Sequence, residues 1–553
     1  MAKNKGQTFM FGAIILMISN IVVKLIGAFL SIPLTEILKV EGMAYYNTAY
    51  SIYVNFYTIS TAGIPVAVSR MIATANSKNN YKEIKKTFKV AFLVFFVIGF
   101  VGTLTMILIA KPYANFIEMP DAYIPMLAIA PTVFFICLSS AYRGYFQGLQ
   151  NMVPTAVSQV IESLTKLALG LFFAIYLTKL GLPTHIIAAF VILGVTVGVL
   201  LGFVYGAISK AMFCSSAEYK NGLLNCTEDS RKYSKILSEL IVIAIPITLA
   251  SSIMGLTNTV DVTLFVKCLR STGIDKIAAT EYYGTYTSMV YKLFNLVPPF
   301  IYTFGISAIP AISSAITVGN KEKAFKDIES AFRNCSVIAI PCAIGLSTLS
   351  KRIISLLFRE QEIINGDTVI SSHDIAAPAL SMLSIGILFL GIISITNSVL
   401  QACKSERYTI ISTVSGIVVK IISILIFARI PGLGLLGAAI STLLCYFTIM
   451  CLNLIFMIKK TGFVPKVHRI LTKPLISGIC CGVGALATSY LLGNVDINQK
   501  IVTLIAIMVA VVIYFGVLVL IKGLNRYDVM MMPKGAKLCS LLDKFNLLEK
   551  DEK

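Results

Sequence analysis

Long apolar segments alternate with short polar loops along the whole chain, and this alternation predicts a set of membrane-spanning helices. A helix needs about 20 mostly apolar residues to cross the hydrocarbon layer of a bilayer. Six segments reach this length without a charged residue, at 90–110, 186–209, 376–401, 435–458, 474–494 and 501–521. Eight more complete the set, at 8–32, 45–68, 122–142, 154–177, 240–261, 282–314, 334–350 and 409–428. The pattern therefore predicts an all-α, polytopic membrane protein with 14 transmembrane helices.

The composition agrees with a membrane protein and excludes several other classes. Of the 553 residues, 57% are hydrophobic and only 13% are charged, whereas about a quarter of a soluble domain is charged. This balance excludes a soluble enzyme, a disordered chain and a disulfide-stapled secreted module. The first apolar segment lacks a cleavage site made of small residues, so we interpret it as a spanning helix rather than a signal peptide.

The charged residues predict how the helices are oriented. The chain has 47 Lys and Arg against 27 Asp and Glu, a net charge of +20. An even number of spans places both termini on one side of the membrane. The loops densest in lysine and arginine, 78–89 and 459–473, lie on that side, which the positive-inside rule identifies as cytoplasmic.

The chain contains an internal repeat of six helices. Residues around the second loop match residues 244 positions later, and those around the fourth loop match residues 254 positions later. The predicted organisation is an N-lobe (1–209), a cytoplasmic linker (210–235), a C-lobe (236–458), two extra helices (474–521) and a cytoplasmic tail (522–553). Two parallel six-helix lobes are typical of alternating-access transporters, whose substrate site lies between the lobes.

The candidate functional residues are ionisable groups at membrane depth, because each costs several kcal/mol unless it is paired, hydrated or close to the interface. The sequence has no nucleotide-binding loop, no nucleophile elbow and no cluster of metal ligands, so we expect neither an enzyme nor a metal or cofactor. The ionisable residues are Lys24, Glu162, Lys166, Asp261, Lys292 and Lys420, with Arg70 and Arg143 at the predicted cytoplasmic ends of helices. The six cations among them favour an anionic cargo such as a pyrophosphate head group.

Each of these residues also has a simpler interpretation. Glu162 and Lys166 are four residues apart and could neutralise each other on one helix face. Asp261 could be solvated at the outer interface, and Lys292 could extend its ammonium to the membrane surface. The two arginines could be ordinary interfacial anchors. Lys24 and Lys420 lie too deep for this, which favours a water-filled cavity around them.

Two segments of the sequence resemble a known family. The run 143–148, Arg-Gly-Tyr-Phe-Gln-Gly, and the following run 150–162 are similar to the signature of the SpoVB/YtgP-type polysaccharide biosynthesis proteins of Firmicutes, and 60–70 is similar to the end of that family's second helix. The motif positions are Gly144, Gln147, Gly148, Pro154, Thr155, Ser158 and Gln159. The family belongs to the multidrug/oligosaccharidyl-lipid/polysaccharide superfamily, with the MurJ lipid II flippases and the MATE exporters.

The resemblance implies a multi-pass protein of the bacterial cell membrane that moves a lipid-linked cell-wall precursor from the inner to the outer leaflet without ATP. It implies two lobes, a groove for the undecaprenyl tail at 474–521, and Na⁺ or H⁺ as coupling ion, for which Asp261 and Glu162 are the candidates. A role in sporulation is also typical of the family. The cavities of MurJ-type members carry several arginines, whereas the candidates at membrane depth here are mostly lysines.

These observations lead to one preferred hypothesis and three alternatives. The preferred function is flipping of an undecaprenyl-pyrophosphate-linked glycan, foremost lipid II, with Lys24, Lys292 and Lys420 and also Lys166 attracting the pyrophosphate. The alternatives are a flippase for another lipid-linked polymer, a MATE-like exporter of organic cations, and a scaffold without transport activity. Membrane lipids are the expected surroundings, and no nucleic acid partner is expected.

Overall fold

The computed structural model describes residues 2–61, 63–224, 231–430, 432–493 and 498–523. The chain divides into two compact units, Met1–Lys267 and Cys268–Lys553. The described part of the first unit consists of α1 (Ala2–Thr61), α2 (Gly63–Ser77), α3 (Tyr81–Phe116), α4 (Tyr123–Gly148), α5 (Val153–Lys179), α6 (Thr184–Ser215), α7 (Ala217–Leu224) and α8 (Tyr233–Arg270), whose last turn crosses the division.

The second unit is also almost entirely helical in the residues described. Its helices are α9 (Lys276–Thr285), α10 (Tyr291–Phe294), α11 (Pro298–Thr317), α12 (Lys321–Thr348), α13 (Ser350–Leu357), α14 (Ser372–Ser384), α15 (Gly386–Ala402), α16 (Arg407–Phe427), α17 (Gly434–Thr461), α18 (Val467–Gly493) and α19 (Gln499–Leu520). A hairpin of β1 (Glu362–Asn365) and β2 (Thr368–Ser371) lies between α13 and α14.

The all-α polytopic membrane fold predicted from the sequence is confirmed. Ten helices in the described ranges are long and apolar enough to cross a membrane. The total of 14 stays a prediction, as does the lobe boundary at 210–235, part of which lies outside the described residues. The predicted tail, 522–553, lies outside them from residue 524 onward.

Two local predictions differ from the structure. The predicted span 282–314 is broken into α9, a π-helical turn (Tyr286–Val290), α10 and α11, which begins at Pro298. Pro298 and Pro299 lack the amide hydrogens needed to continue the preceding helix. The predicted loop 33–44 is helical, because α1 runs through it with one break at Lys39 (φ 58°, ψ 179°).

The hairpin was not predicted at all, although the sequence carries its signal. Asn365 pairs with Thr368 across a two-residue turn in which Gly366 has a φ of 58°. The two turn residues are Gly366 and Asp367, and glycine at the first of them supplies the positive φ that a two-residue hairpin turn needs. The hairpin is held to the start of α9, where Asp275 accepts a hydrogen bond from the Gly366 amide at 3.1 Å.

Two pairs of turns repeat between the units. Gln150, after α4, and Lys404, after α15, lie 254 residues apart and have φ of 60° and 53°. Asn79 and Gly319, also with positive φ, end α2 and α11 with a separation of 240 residues. The latter separation is four residues shorter than the 244 suggested by residue matches. Four residues are about one helical turn, so both separations place the matched positions on the same helix face.

Helix α8 is attached to α3 at both ends, inside the first unit. Near its start, Lys86 of α3 lies 5.3 Å from the ring centroid of Tyr233. Near its end, the hydroxyls of Tyr113 and Thr263 are 2.9 Å apart. The sequence places this helix in the C-lobe, so its packing in the first unit is a feature that spacing alone did not indicate.

Candidate functional site

An ion pair between α4 and α5 is the centre of the candidate site. The guanidinium of Arg143 donates to Glu162, and the two side chains are only 7% and 15% exposed. The interpretation of Glu162 and Lys166 as a self-neutralising pair is therefore wrong, because Glu162 pairs with a different helix. Arg143 is likewise a buried partner and not an interfacial anchor.

Two glycines of α6 make room for Glu162. A β-carbon at Gly202 would lie 2.6 Å from Oε1 of Glu162, and one at Gly198 would lie 2.6 Å from its backbone oxygen. No side chain fits at these distances, so α6 can approach α5 this closely only with glycine at both positions. Gly198 and Gly202, which follow Glu162 by 36 and 40 residues, thus form a socket for its side chain, which we call the glycine socket.

A column of tyrosines on α1 connects the charged residues of α4 and α5. Tyr46, Tyr50, Tyr53 and Tyr57 follow one helix face, with successive ring centroids 5.9, 5.7 and 6.0 Å apart. We call this set the tyrosine ladder. Their spacing of four, three and four residues is visible in the sequence, but the site residues predicted from the sequence include no aromatic residue.

The two cations lie at different positions along the tyrosine ladder. The ammonium of Lys166 lies 4.3 Å from the ring centroid of Tyr50 and interacts with the hydroxyl of Tyr46. The guanidinium of Arg143 interacts with Tyr57. A cation over a tyrosine ring keeps its charge at a small desolvation cost. Charged atoms from α4 and α5 are thus held against one face of α1.

Several buried polar atoms around this network have unused hydrogen-bonding capacity. Within the described ranges, Nε of Arg143, Oγ1 of Thr155 and Oε1 of Gln159 form no hydrogen bond. Ser158 is satisfied locally, donating to the Thr155 carbonyl at 2.8 Å. Buried polar atoms without partners are rare in native proteins and indicate a place for water or a ligand.

The glycine positions of the family motif serve packing. A β-carbon at Gly144 would lie 3.0 Å from the backbone oxygen of Pro65, and one at Gly148 would lie 2.8 Å from that of Ser69. The run 143–148 therefore packs directly on the run 60–70, and the two segments that carry the resemblance form one contact. Gln147 is half-buried in α4, and Pro154 is buried in the first turn of α5.

The remaining predicted residues of the first unit are Lys24, Arg70 and Asp261. Lys24 and Arg70 are exposed, on α1 and α2. Asp261 of α8 is 5% exposed, so the interpretation of a solvated interfacial carboxylate is wrong. Nearby in α8, Thr259 accepts a hydrogen bond from Asn55 of α1 at 2.6 Å.

The second unit has a different set of polar residues at the corresponding place. Lys420 of α16 is fully buried, and Lys292 of α10 is half-buried. Asn397, 254 residues after Arg143, accepts a hydrogen bond of 2.7 Å from Asn453. The structure thus brings Arg143, Glu162 and Lys166 of the first unit together at the tyrosine ladder.

Comparisons with known proteins agree with this fold. The chain is 23% identical to the lipid II flippase MurJ of Bacillus subtilis, over 91% of this chain and 94% of that protein. It is 25% identical to stage V sporulation protein B of the same organism, over 79% and 80%. The fold matches a solved lipid II flippase MurJ in an inward closed conformation, with a TM-score of 0.65 and 17% identity, covering 91% of this chain and 98% of that one.

The family comparison covers more than half of the chain. The model of the polysaccharide biosynthesis protein family matches residues 9–316, which include the tyrosine ladder, the Arg143–Glu162 pair and Lys166. The chain belongs to the polysaccharide biosynthesis protein family.

Proposed function

We propose that this protein is a flippase that moves an undecaprenyl-pyrophosphate-linked cell-wall precursor, lipid II, from the inner to the outer leaflet. The observation that carries the proposal is the network of Arg143 and Lys166, two cations held inside an apolar helical unit beside buried polar atoms without partners. Pyrophosphate is the part of the cargo that needs such cations. The full-length similarity to a lipid II flippase supports the same cargo.

The proposed mechanism depends on exchange at Arg143. A phosphate oxygen competes with Glu162 for the guanidinium, and its binding releases the carboxylate. The free carboxylate then takes up H⁺ or Na⁺, because a buried carboxylate without a cation is costly. Glu162 is thus the coupling residue of the proposal, and Asp261, buried on α8, is the second candidate.

The other cations take different roles in this proposal. Lys24 and Arg70 have exposed side chains and attract the head group before it reaches Arg143. Lys292, half-buried, contacts the head group later in the cycle, and the fully buried Lys420 orients its own helix. The undecaprenyl tail follows the apolar surface of α18 and α19, and both chain termini are cytoplasmic.

The test measures lipid II at the outer surface of cells that are depleted of their own flippase and express this protein. A lipid II-binding probe that cannot cross the membrane should label these cells as strongly as cells with their own flippase. Lys166→Gln should abolish labelling. Lys179→Gln, which removes an exposed lysine at the end of the same helix, is the matched control and should keep it.

Two outcomes would contradict the proposal. If the protein reaches the membrane but no lipid II is exposed, the cargo is another lipid-linked glycan. If Lys166→Gln labels as strongly as the unchanged protein, the cation at this position does not bind the head group. Quantifying each variant in isolated membranes separates these outcomes from poor expression.

A further inference from the structure

An aromatic cluster lies at one end of the first unit, where α3 begins and α4 and α6 end. The ring centroids of Phe88 and Tyr145 are 5.2 Å apart, and those of Tyr145 and Phe213 are 6.3 Å apart. Tyr219 of α7 continues the cluster, 5.5 Å from both Phe213 and Tyr81. Tyrosines at such a position are typical of the membrane interface.

Two lysines meet at this aromatic cluster. The ammonium of Lys210 lies 4.0 Å from the ring centroid of Phe88 and 5.7 Å from that of Tyr145. Lys85, which is exposed, is close enough to Lys210 for the two charges to repel each other. Neither lysine forms a salt bridge with a carboxylate in the part of the chain that the structure describes. Two like charges held together in this way attract an anion.

The carboxylate nearest to Lys85 in the sequence is already neutralised. Glu83 of α3 accepts a hydrogen bond of 2.7 Å from Nε of Arg231, which also pairs with Glu239. Two hydroxyls could instead contact a ligand beside the lysines. The hydroxyls of Tyr145 and Tyr219 both interact with the thiol of Cys214, a weak hydrogen-bonding group, and burial raises the pKa of Tyr219 to about 12, so its hydroxyl remains a donor.

An apolar stripe on α3 leads from this place toward the middle of the helix. Lys85 and Lys89 are exposed, and along the same face follow Leu93, Phe96 and Phe100, which are 64%, 43% and 58% exposed. Their spacing of three or four residues places them in one row. A molecule bound at Lys85 and Lys210 therefore has an apolar surface for a hydrocarbon chain directly beside it.

We propose that this place binds an anionic phospholipid, with its phosphate between Lys85 and Lys210 and an acyl chain along Leu93, Phe96 and Phe100. In the predicted orientation the lipid belongs to the cytoplasmic leaflet. The lipid is distinct from the transported cargo, because the lysines that hold it are not those of the Arg143 network. It stabilises the contact between α3, α4, α6 and α7.

The test is a lipid titration of the purified full-length protein in detergent, read as the midpoint of thermal unfolding. Phosphatidylglycerol should raise the midpoint, whereas phosphatidylcholine, inorganic phosphate and glycerol phosphate should have little effect. In the Lys85→Gln/Lys210→Gln variant the half-saturating concentration of phosphatidylglycerol should rise about tenfold or more, given the usual contribution of each lysine near an anionic surface.

Matched controls make the test decisive. Lys78→Gln/Lys235→Gln removes two exposed lysines from the same end of the unit and should respond as the unchanged protein does. Lys85→Arg/Lys210→Arg should restore the response. The site would be overturned if phosphatidylglycerol raised the unfolding midpoint of the glutamine double variant as much as that of the unchanged protein, or if the control pair lost this response as fully as the glutamine double variant. If inorganic phosphate raised the midpoint as much as phosphatidylglycerol does, the ligand would not be the lipid. The single variant Lys85→Gln, at an exposed position, gives the same readout if the double variant does not fold.

Discussion

In the first unit, Arg143 of α4 forms an ion pair with Glu162 of α5, whereas in the second unit the position 254 residues later is Asn397, bound to Asn453. The equivalent of Glu162 at the same separation is Gly416, where a β-carbon would lie 2.4 Å from Ile449. A side chain of α17 thus occupies the place of the carboxylate. The same helical arrangement is built with a charged pair in one unit and a neutral pair in the other.

The difference shows where charge is needed. A buried ion pair contributes little net stability compared with a neutral or apolar replacement, so packing alone does not require Arg143 and Glu162. The lysines differ in the same sense: Lys166 contacts the tyrosine ladder and is partly accessible, whereas its equivalent Lys420 is fully buried. We infer that the first unit carries the charge chemistry of the proposed cycle.

The largest effect is expected from removing one partner of each pair. Arg143→Ala leaves a buried carboxylate alone and should lower the free energy of unfolding by about 3–5 kcal/mol. Asn397→Ala leaves only an amide without its partner and should cost about 1–3 kcal/mol. Thermal unfolding of the two purified variants measures the difference. Equal losses would mean that the two pairs are equivalent in energy.

The glycine socket should give the next largest effect. Gly198→Ala places a methyl group against the backbone of α5 and should cost about 1–3 kcal/mol through overpacking. Gly516→Ala in α19, where nothing lies within 4 Å of the added carbon, should cost nothing. Unfolding midpoints and lipid II exposure are the measurements. A Gly198→Ala variant as stable as the control would contradict the close approach of α5 and α6.

The contact of Lys166 with the tyrosine ladder should have a smaller effect. Tyr50→Leu removes the ring beneath the ammonium and should cost about 0.5–2 kcal/mol, whereas Tyr50→Phe keeps the ring and should retain most of that energy. Lipid II exposure should follow the same order. If the leucine and phenylalanine variants behave alike, the ring face does not hold Lys166.

The smallest effect tests a place where the units agree. Gln150→Gly and Lys404→Gly should each stabilise the protein by about 0.5 kcal/mol, because relief of the left-handed backbone is partly offset by the greater freedom of glycine in the unfolded chain. The two increases in unfolding midpoint should be equal. Different values would show that the repeated turns are not under the same strain.

Much of the fold was predictable because membrane spans depend on length and apolarity. The Arg143–Glu162 pair was not predictable, because residues 19 positions apart on two helices have no periodic relation. The tyrosine ladder had a visible spacing, but only the placement of Lys166 and Arg143 against it shows its importance. The hairpin had its Gly366-Asp367 signal and was missed because both strands are only four residues long.

The break at Lys39 gives α1 a mechanical property. A helix of 60 residues would normally transmit tilt from one end to the other as a single stiff rod. With one non-helical residue at φ 58° and ψ 179°, α1 instead consists of two helical segments that meet at Lys39. The segment that carries Lys24 is attached to α5 through Ser19, whose hydroxyl donates to the Ala156 carbonyl at 2.9 Å, while the segment that carries the tyrosine ladder meets α5 at Lys166, so α5 holds both segments at the angle that the break allows.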